Sequence, residues 1–179
     1  ARFFNSYGPG EVPGQYRNVI PNFIYWALKG LPLPITGTGE ETRDFTYVED
    51  LIDGILLAAT SEQAVGREYN LSGDQEVRII DLAHLINKLT GNKAGVVYLS
   101  PRKWDTKTRI KASIERARTE LGYNPKTPLE EGLKRTVEWF QVNWERIEAA
   151  ADFPPGMSSA VRDYVPTSGR PSPVAAGGQ

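Results

Sequence analysis

The sequence predicts an α/β fold, on the evidence of three patterns. Apolar residues recur at helical spacing in several segments, short runs rich in β-forming residues lie between them, and glycine or proline turns separate the two kinds of run. The 179-residue chain is 40% hydrophobic and 24% charged, which is enough apolar material for one core. We therefore expect strands and helices that alternate along one domain.

The amino-terminal elements can be placed from their turns and apolar stripes. Residues 1–5 are predicted to form a strand that runs into a turn at residues 7–10. The first helix ends at Gly30, and its stripe is Ile20, Phe23, Ile24, Ala27 and Leu28. Residues 33–36 form a second extended segment before a glycine turn. The second helix has the stripe Val48, Leu51, Ile52, Ile55, Leu56 and Ala59.

The carboxy-terminal elements follow the same alternation. Strands are predicted at residues 68–71 and 95–99, on either side of a third helix. The stripe of that helix is Leu82, Leu85, Ile86 and Leu89, and Gly91 ends it. A short helix should run from a Ser113 cap to Gly122. The last helix should begin at a Thr127–Glu130 capping box with Pro128 as its first residue, and its inner face is Leu129, Leu133, Val137, Phe140, Trp144 and Ile147.

These elements divide the chain into two parts. Residues 1–150 are predicted to be the folded part, which would bind a ligand. Residues 151–179 are rich in proline, glycine, serine and alanine without any period, so we expect a disordered tail there.

The composition excludes several classes of function. The absence of cysteine rules out disulfides, thiolate nucleophiles and Cys-based metal sites, and the single His84 makes a multi-His metal site unexpected. The net charge of −1 gives no basic field for nucleic acid or an anionic membrane. No apolar run approaches the ~18 residues of a membrane helix, and no signal peptide opens the chain, so we expect a cytoplasmic protein.

Three local groups of residues carry candidate chemistry. The first is residues 2–9, where Asn5 ends a strand and could reach a cleft, or could simply cap the turn. The second is residues 37–45. There, glycines would let the backbone approach a ligand, and Arg43, which Asp44 could orient, offers a planar fork for phosphate; the plainer reading is a surface hairpin with a salt bridge. The third is residues 102–109, whose cations could close over a diphosphate or could form a solvated loop.

Taken together, the motifs resemble the extended short-chain dehydrogenase/reductase family. The order is Arg-x-Phe-Asn-x-Tyr-Gly-Pro, then Gly-x-Gly-x-x-x-Arg-Asp-Phe-x-Tyr-Val-x-Asp, then Arg-x-x-Asp, then Leu-Gly-Tyr-x-Pro-x-x-x-Leu-x-x-Gly-Leu, from residue 2 to about residue 144. That family includes NAD(P)-dependent nucleotide-sugar epimerases, dehydratases and decarboxylases. The resemblance implies that this chain is the carboxy-terminal, substrate-binding part of a Rossmann-type fold, incomplete without its amino-terminal half.

The resemblance also implies roles for particular residues. Phe4 would lie near the nicotinamide of NAD or NADP. The substrate, a nucleotide-diphosphate sugar, would be bound by Asn5, Asn22, Phe23, Arg43, Arg102 and Asp105. Family members that use UDP or dTDP often place an aromatic residue where this chain has Thr36, yet a UDP-sugar remains the favoured ligand.

The resemblance places the cofactor loop and the catalytic Tyr-x-x-x-Lys pair upstream of residue 1, so we assign no catalytic residue here. Residues 25–29 match Tyr-x-x-x-Lys in letters, but they follow the asparagine motif and flank a helix. Residues 8–14 miss Gly-x-Gly-x-x-Gly because position 13 is proline.

The resemblance implies that the amino-terminal half packs on the first strand and on the helix at residues 48–59, so in the isolated chain these apolar faces would be exposed. That half would be the partner, or the chain would self-associate through these faces. Four alternatives remain open: a UDP-glucuronate decarboxylase-type enzyme, a split enzyme on two chains, a non-catalytic binding or scaffold module, and a plain α/β domain with relic motifs.

Overall fold

The computed structural model describes residues 1–14, 17–101 and 107–151. Helices and short strands alternate along these residues, as the sequence predicts. The helices are α1 (Val19–Leu28), α2 (Val48–Thr60), α3 (Ile79–Thr90), α4 (Glu115–Leu121), α5 (Leu129–Val142) and α6 (Trp144–Ala150), with a 3₁₀ turn at Glu62–Ala64. The strands are β1 (Arg2–Phe3), β2 (Ser6–Tyr7), β3 (Leu33–Thr36), β4 (Thr42–Asp44), β5 (Thr46–Tyr47), β6 (Asn70–Leu71), β7 (Glu76–Arg78), β8 (Val96–Leu99) and β9 (Arg109–Ile110).

Parallel pairing dominates the strands, which fits the α/β prediction. Strand β1 pairs with β6, β2 with β5 and β3 with β8, each in parallel. Strand β4 is the centre of a three-stranded sheet, antiparallel to β7 and parallel to β9. The central position of β4 matters because β4 carries Arg43 and Asp44.

The core has two clusters. The larger one gathers the inner faces of α1, α3 and α5 around β3 and includes Ile24, Leu33, Leu82 and Phe140. The smaller one joins α2 and α4 through Leu51, Leu71 and Tyr123. The chain therefore has enough buried apolar side chain to hold the β4 region between two packed groups.

Several boundaries differ from the sequence prediction. The predicted capping box at Thr127 is wrong: α5 begins at Leu129, Pro128 is its N-cap residue, and no side chain caps the helix there. The Asp50 carboxylate instead accepts hydrogen bonds from the backbone N–H groups of Lys126 and Thr127, both at 3.0 Å. Likewise Ile114, not Ser113, is the N-cap residue of α4. Before α5, a distant carboxylate therefore bonds backbone N–H groups where the local pattern predicted a cap, whereas the Ser113 hydroxyl oxygen still accepts from the N–H of Glu115 at 3.5 Å.

Helix α2 buries only part of its predicted stripe. Leu51 is buried, but Ile52 is 47% exposed and Leu56 is 56% exposed. Phe3 in β1, at 55%, is also exposed. These exposures agree with the expectation that the first strand and α2 present apolar faces in the isolated chain.

Within the described ranges, no helix combines the length and the apolar character needed to cross a membrane. The predicted tail falls almost wholly on residues 152–179, outside the described residues, so it stays a prediction.

Candidate functional site

The first two motifs meet through Asn5. This residue adopts a left-handed backbone conformation, with φ of 39°, just after β1. Its Nδ2 donates to the carbonyl oxygen of Asp44 at 2.9 Å, and its own carbonyl oxygen accepts from the N–H of Thr46 at 3.2 Å. The Thr46 hydroxyl donates to the carbonyl oxygen of Phe4 at 2.8 Å. The segment 4–5 is therefore fastened along the segment 44–46.

Asp44 lies at the centre of this junction and is fully buried. Its Oδ2 accepts from the Ser72 hydroxyl and from the N–H of Ala112, each at 2.7 Å. Its Oδ1 is buried and has no hydrogen-bond partner in the described part of the chain. One carboxylate thus connects β4 to the end of β6 and to the segment after β9.

Arg43 is held by backbone carbonyls. Nη1 donates to the oxygen of Thr42 at 2.8 Å, and Nη2 donates to the oxygen of Lys107 at 3.1 Å. The predicted direct orientation of this guanidinium by Asp44 is therefore wrong, because the Asp44 carboxylate binds Ser72 and Ala112 instead. Asp44 acts on Arg43 through the strand that both share.

The third motif is also bonded to strand β4. Lys107 is the first described residue after the segment that carries Arg102 and Asp105, both of which lie outside the described residues. Thr42 N–H donates to the oxygen of Thr108 at 2.8 Å, so the exit of that segment is bonded to β4. The three motifs that the sequence singled out therefore converge on β4.

Asn22 and Phe23 take positions of a different kind. The Asn22 amide accepts from the N–H of Gly14 at 2.9 Å and donates to the oxygen of Gly14 at 3.1 Å, and the residue is buried. Phe23 is buried in the larger core cluster, where its ring lies 6.2 Å from that of Trp26. These contacts favour structural roles, and ligand contact by either residue stays a prediction. Phe4 is partly exposed.

The side chain of Glu41 binds the glycine turn of the second motif. The Glu41 carboxylate accepts from the N–H of Gly39 at 2.9 Å and from the N–H and hydroxyl of Thr38, each at 3.4 Å. The glycines bring backbone close to Glu41, and their approach to a ligand stays a prediction. Sequence reasoning had no signal for this contact beyond the proximity of an acidic residue to the glycines.

The remaining motif positions pack against one another. The Tyr7 and Tyr47 rings meet edge to face with centroids 5.7 Å apart, and a Cβ at Gly132 would lie 2.2 Å from the Tyr7 hydroxyl oxygen. A Cβ at Gly8 would lie 2.5 Å from Val48. Burial raises the pKa of Tyr7 well above its usual range, so this phenol stays protonated at neutral pH. Residues of separate motifs therefore pack against one another in the folded chain.

The Tyr-x-x-x-Lys match at residues 25–29 is a packing feature. The Tyr25 ring is buried and stacks on Trp144 with centroids 5.4 Å apart. Lys29 forms an ion pair of 2.7 Å with Glu148 and lies 3.5 Å from the Tyr25 hydroxyl. Both partners belong to α6, so the pair fastens the last described helix to α1. His84 is exposed, as predicted.

The residues of this chain do not fit the binding of a complete dinucleotide. The sequence contains no Gly-x-Gly-x-x-Gly run, and its one approximation at residues 8–14 forms a turn packed on Val48. Phe4 is the one residue to which we assign a cofactor contact.

These features define a class: a parallel-stranded α/β unit that gathers an asparagine, an arginine and a further cationic segment on one strand. Residues 1–72 match the model of the NAD dependent epimerase/dehydratase family. The chain is 39% identical over 145 residues to UDP-glucuronic acid decarboxylase 1 of Xenopus tropicalis, covering 81% of this chain and 34% of that protein.

Solved structures agree with this match. The epimerase Mth375 of Methanothermobacter thermautotrophicus superposes with a TM-score of 0.83 at 53% identity, over 85% of this chain and 45% of that one. The Bordetella bronchiseptica enzyme WbmF in complex with NAD+ and UDP superposes with a TM-score of 0.70 at 40% identity, over 83% and 47%. The chain belongs to the extended short-chain dehydrogenase/reductase family, and it spans less than half the length of these relatives.

Proposed function

We propose that this chain binds the nucleotide-diphosphate sugar substrate of an NAD(P)-dependent epimerase or dehydratase. The observation that carries the proposal is the convergence on β4, where the Asn5 side chain donates to the carbonyl oxygen of Asp44, the Arg43 side chain to that of Lys107, and the Thr42 N–H to that of Thr108. Arginine suits a diphosphate because its planar fork can bind two oxygens at once. A guanidinium already fixed by carbonyls loses little freedom when it binds.

Each remaining residue has a proposed place in this site. Asn5 bonds the diphosphate or the sugar with the amide atoms that Asp44 orients. Arg102 binds phosphate and Asp105 a ribose hydroxyl, and Phe4 lies near the nicotinamide. Asn22 and Phe23 line the nucleotide pocket, and the hydrogen bonds of Asn22 with Gly14 hold the start of α1 beside that turn.

In the complete enzyme, NAD or NADP supplies hydride transfer with a carbon of the sugar. The residues of this chain bind and orient the sugar nucleotide. The general base comes from the remaining part of the protein. Binding energy on the remote diphosphate contributes to rate when it holds the sugar for reaction. We assign the enzyme to the cytoplasm as part of the same proposal.

The exposed apolar faces of β1 and α2 are the proposed contact with the other half of the enzyme. Phe3, Ile52 and Leu56 are exposed together with Leu57, and large apolar patches mark surfaces that associate. Without that half, the same faces support self-association.

A UDP-sugar is the favoured ligand. WbmF, a relative at 40% identity, has been solved in complex with NAD+ and UDP. Thr36 stands where an aromatic residue would pack on a pyrimidine, and a threonine offers less area for that contact.

A decarboxylase is the second candidate, because UDP-glucuronic acid decarboxylase 1 is 39% identical to this chain. Arg43 and Asn5 would have the same roles in it, since both reactions start from a bound nucleotide-diphosphate sugar.

A thermal-shift panel on the 179-residue chain tests the proposal with UDP, dTDP, CDP, GDP, UDP-sugars and NAD. A ligand at ~100 times its dissociation constant adds roughly 2.7 kcal/mol of stability. Stabilisation by one class of diphosphate, with none from NAD, is the expected result. If no nucleotide stabilises the chain, the panel is repeated with the other half added. If no nucleotide raises the melting temperature of that mixture either, the proposal is rejected. Binding without turnover in the assembled protein would instead support a scaffold module.

A further inference from the structure

The loop between β3 and β4 forms a small concave surface of backbone N–H groups. Gly37 and Gly39 have φ of 91° and 82°, the left-handed region that glycine adopts without strain. The N–H groups of Thr38 and Gly39 both point at the Glu41 carboxylate, at 3.4 Å and 2.9 Å. Successive N–H groups in such a turn form an anion-binding nest. The chain fills this nest with its own carboxylate.

Both glycines are closely approached by neighbouring atoms, in addition to having backbone conformations that favour glycine. A Cβ at Gly37 would lie 2.6 Å from Oε1 of Glu41, so the carboxylate rests directly on the glycine backbone. A Cβ at Gly39 would lie 3.1 Å from Ile80 and 3.3 Å from Ile35, so the other glycine is pressed against the core side of the loop. The positions of both glycines are thus explained without a ligand.

The outer side of the loop is bonded as well. The carbonyl oxygens of Gly39 and Glu41 accept from the N–H groups of Ile80 and Ile79, which open helix α3. No side chain caps that helix, so the loop supplies the acceptors that a cap would supply. The Gly37 N–H donates to Leu99 at 3.0 Å. The carboxylate therefore adds contacts to the Thr38 and Gly39 N–H groups in a loop whose other backbone groups already bond α3 and β8.

We propose that Glu41 is the resident anion of a backbone anion-binding nest at residues 37–39, and that it is a positioning residue. Its carboxylate holds the Thr38 and Gly39 N–H groups. With the side chain removed, the nest takes a free carboxylate or phosphate of the same charge. In the intact chain a substrate diphosphate meets the Arg43 side chain and not the loop amides. Only this last statement rests on the proposed function.

A neighbouring carboxylate provides a matched control. Glu40 carries the same charge one residue earlier, but its carboxylate pairs with Arg78 at 3.0 Å and takes no part in the nest. Substituting Glu40 therefore changes the charge of the loop without opening the nest. Glu41→Gln keeps an acceptor oxygen and the volume of the side chain, and removes only the charge.

The experiment is amide hydrogen exchange and chemical-shift measurement by NMR on the full chain and its Glu41→Ala, Glu41→Gln and Glu40→Ala variants. Each sample is measured in excess sodium formate and in sodium chloride of the same ionic strength. In Glu41→Ala, the Thr38 and Gly39 amides should exchange roughly tenfold faster or more, because bonds to a charged acceptor are lost. Formate should restore both amides in that variant and leave the wild type and Glu40→Ala unchanged.

Glu41→Gln tests whether the nest requires the negative charge of the side chain or only its volume. Its two amides should exchange faster than in the wild type, and formate should not restore them because the amide side chain still fills the space. The proposal would be overturned if the Thr38 and Gly39 amides of Glu41→Ala exchanged at the wild-type rate. It would also be overturned if formate did not change their exchange in that variant. If Glu41→Ala does not fold, Glu41→Gln decides alone, and wild-type protection in it is the refuting result. Nucleotide binding enters none of these readouts, so the inference and the proposed function fail separately.

Discussion

The Arg43 guanidinium is held by the carbonyl oxygens of Thr42 and Lys107 at the place where three sequence motifs meet. Arg43→Ala should weaken binding of the nucleotide-diphosphate sugar roughly tenfold or more, because hydrogen bonds to charged groups are the strong ones. Affinity for NAD in the assembled protein should change far less. Isothermal calorimetry with UDP-sugar and with NAD measures both. Arg78→Ala, which removes the surface ion pairs of Arg78 with Glu40 and Asp81, is the control. Equal loss of both affinities in Arg43→Ala would contradict the assignment.

Asp44 should matter for folding more than for ligand contact. Asp44→Ala leaves the Ser72 hydroxyl and the Ala112 N–H without their buried acceptor, and each such loss costs about 1–3 kcal/mol. Asp44→Asn can place its amide oxygen where Oδ2 lies and keep both bonds. Urea denaturation should therefore find Asp44→Ala much less stable and Asp44→Asn closer to the wild type. Equal destabilisation by the two substitutions would mean that the charge, and not the hydrogen bonds, holds the junction.

The sheet formed by β7, β4 and β9 carries a pH-dependent contact. Hydrogen bonds from Arg109 and then Thr42 lower the pKa of Glu76 from 4.5 to about 2. A carboxylate with a lowered folded-state pKa contributes stability that is present above its unfolded value and is lost as the pH falls through the folded value. Stability should therefore decline between about pH 4.5 and pH 2. Glu76→Gln and Arg109→Ala should each flatten that decline, as followed by urea denaturation across the window. A decline as steep in both variants would place its cause elsewhere.

The helices contain glycines where neighbouring elements approach closely. In α5, a Cβ at Gly132 would lie 2.9 Å from the Tyr47 ring and 2.2 Å from the Tyr7 hydroxyl. Gly132→Ala gains up to about 1 kcal/mol of helix propensity, yet the overpacking should cost about 1–3 kcal/mol and outweigh it. Thermal unfolding should find this variant less stable. Gln141→Ala, at an exposed position of the same helix, should be neutral or slightly stabilising, and a stable Gly132→Ala would mean that the tyrosines can move aside.

The helices were predictable because their apolar stripes record a local period. The stripe ending at Gly91 gave α3, and that glycine is the left-handed cap the pattern implies. Contacts between distant residues left no such record. Nothing near Asp50 in sequence indicates that its carboxylate would cap the segment before α5, and nothing near Asn22 indicates its bonds to Gly14. The two-residue strands β1 and β6 lie inside predicted strands, but β2, β4, β5, β7 and β9 were missed for the same reason, since their pairing is decided by neighbours far along the chain.

The candidate site was predictable in its parts but not in its arrangement. Asn5, Arg43 and the segment after residue 101 were singled out by residue type and by resemblance. Their convergence depends on hydrogen bonds to the backbone carbonyl oxygens of Thr42, Asp44 and Lys107, which leave no signal in the sequence. The contact of the glycine loop with Glu41 was missed, because a pattern suited to a ligand also suits an internal anion.

The surface of the whole chain is uneven, because its exposed large apolar residues concentrate on β1 and α2. Among the described residues, β1 pairs on one side only, with β6, and an open strand edge beside an apolar face favours association. We expect the isolated chain to self-associate in sedimentation velocity as its concentration rises, and to do so less when the other half of the enzyme is added. The double substitution Ile52→Glu with Leu56→Glu should reduce this association, because it places charges on the exposed face of α2.

A matched change elsewhere separates this face from general hydrophobicity. Val142 in α5 is 85% exposed and lies outside the α2 face, so Val142→Glu adds the same kind of charge without touching the proposed contact. It should leave the association unchanged. A wild-type chain that stays monomeric at every concentration would remove the apolar face as the contact between the two halves. If Val142→Glu reduced association as much as the double substitution on α2, the contact would lie on another surface. Only an interface on α2 makes the two changes differ.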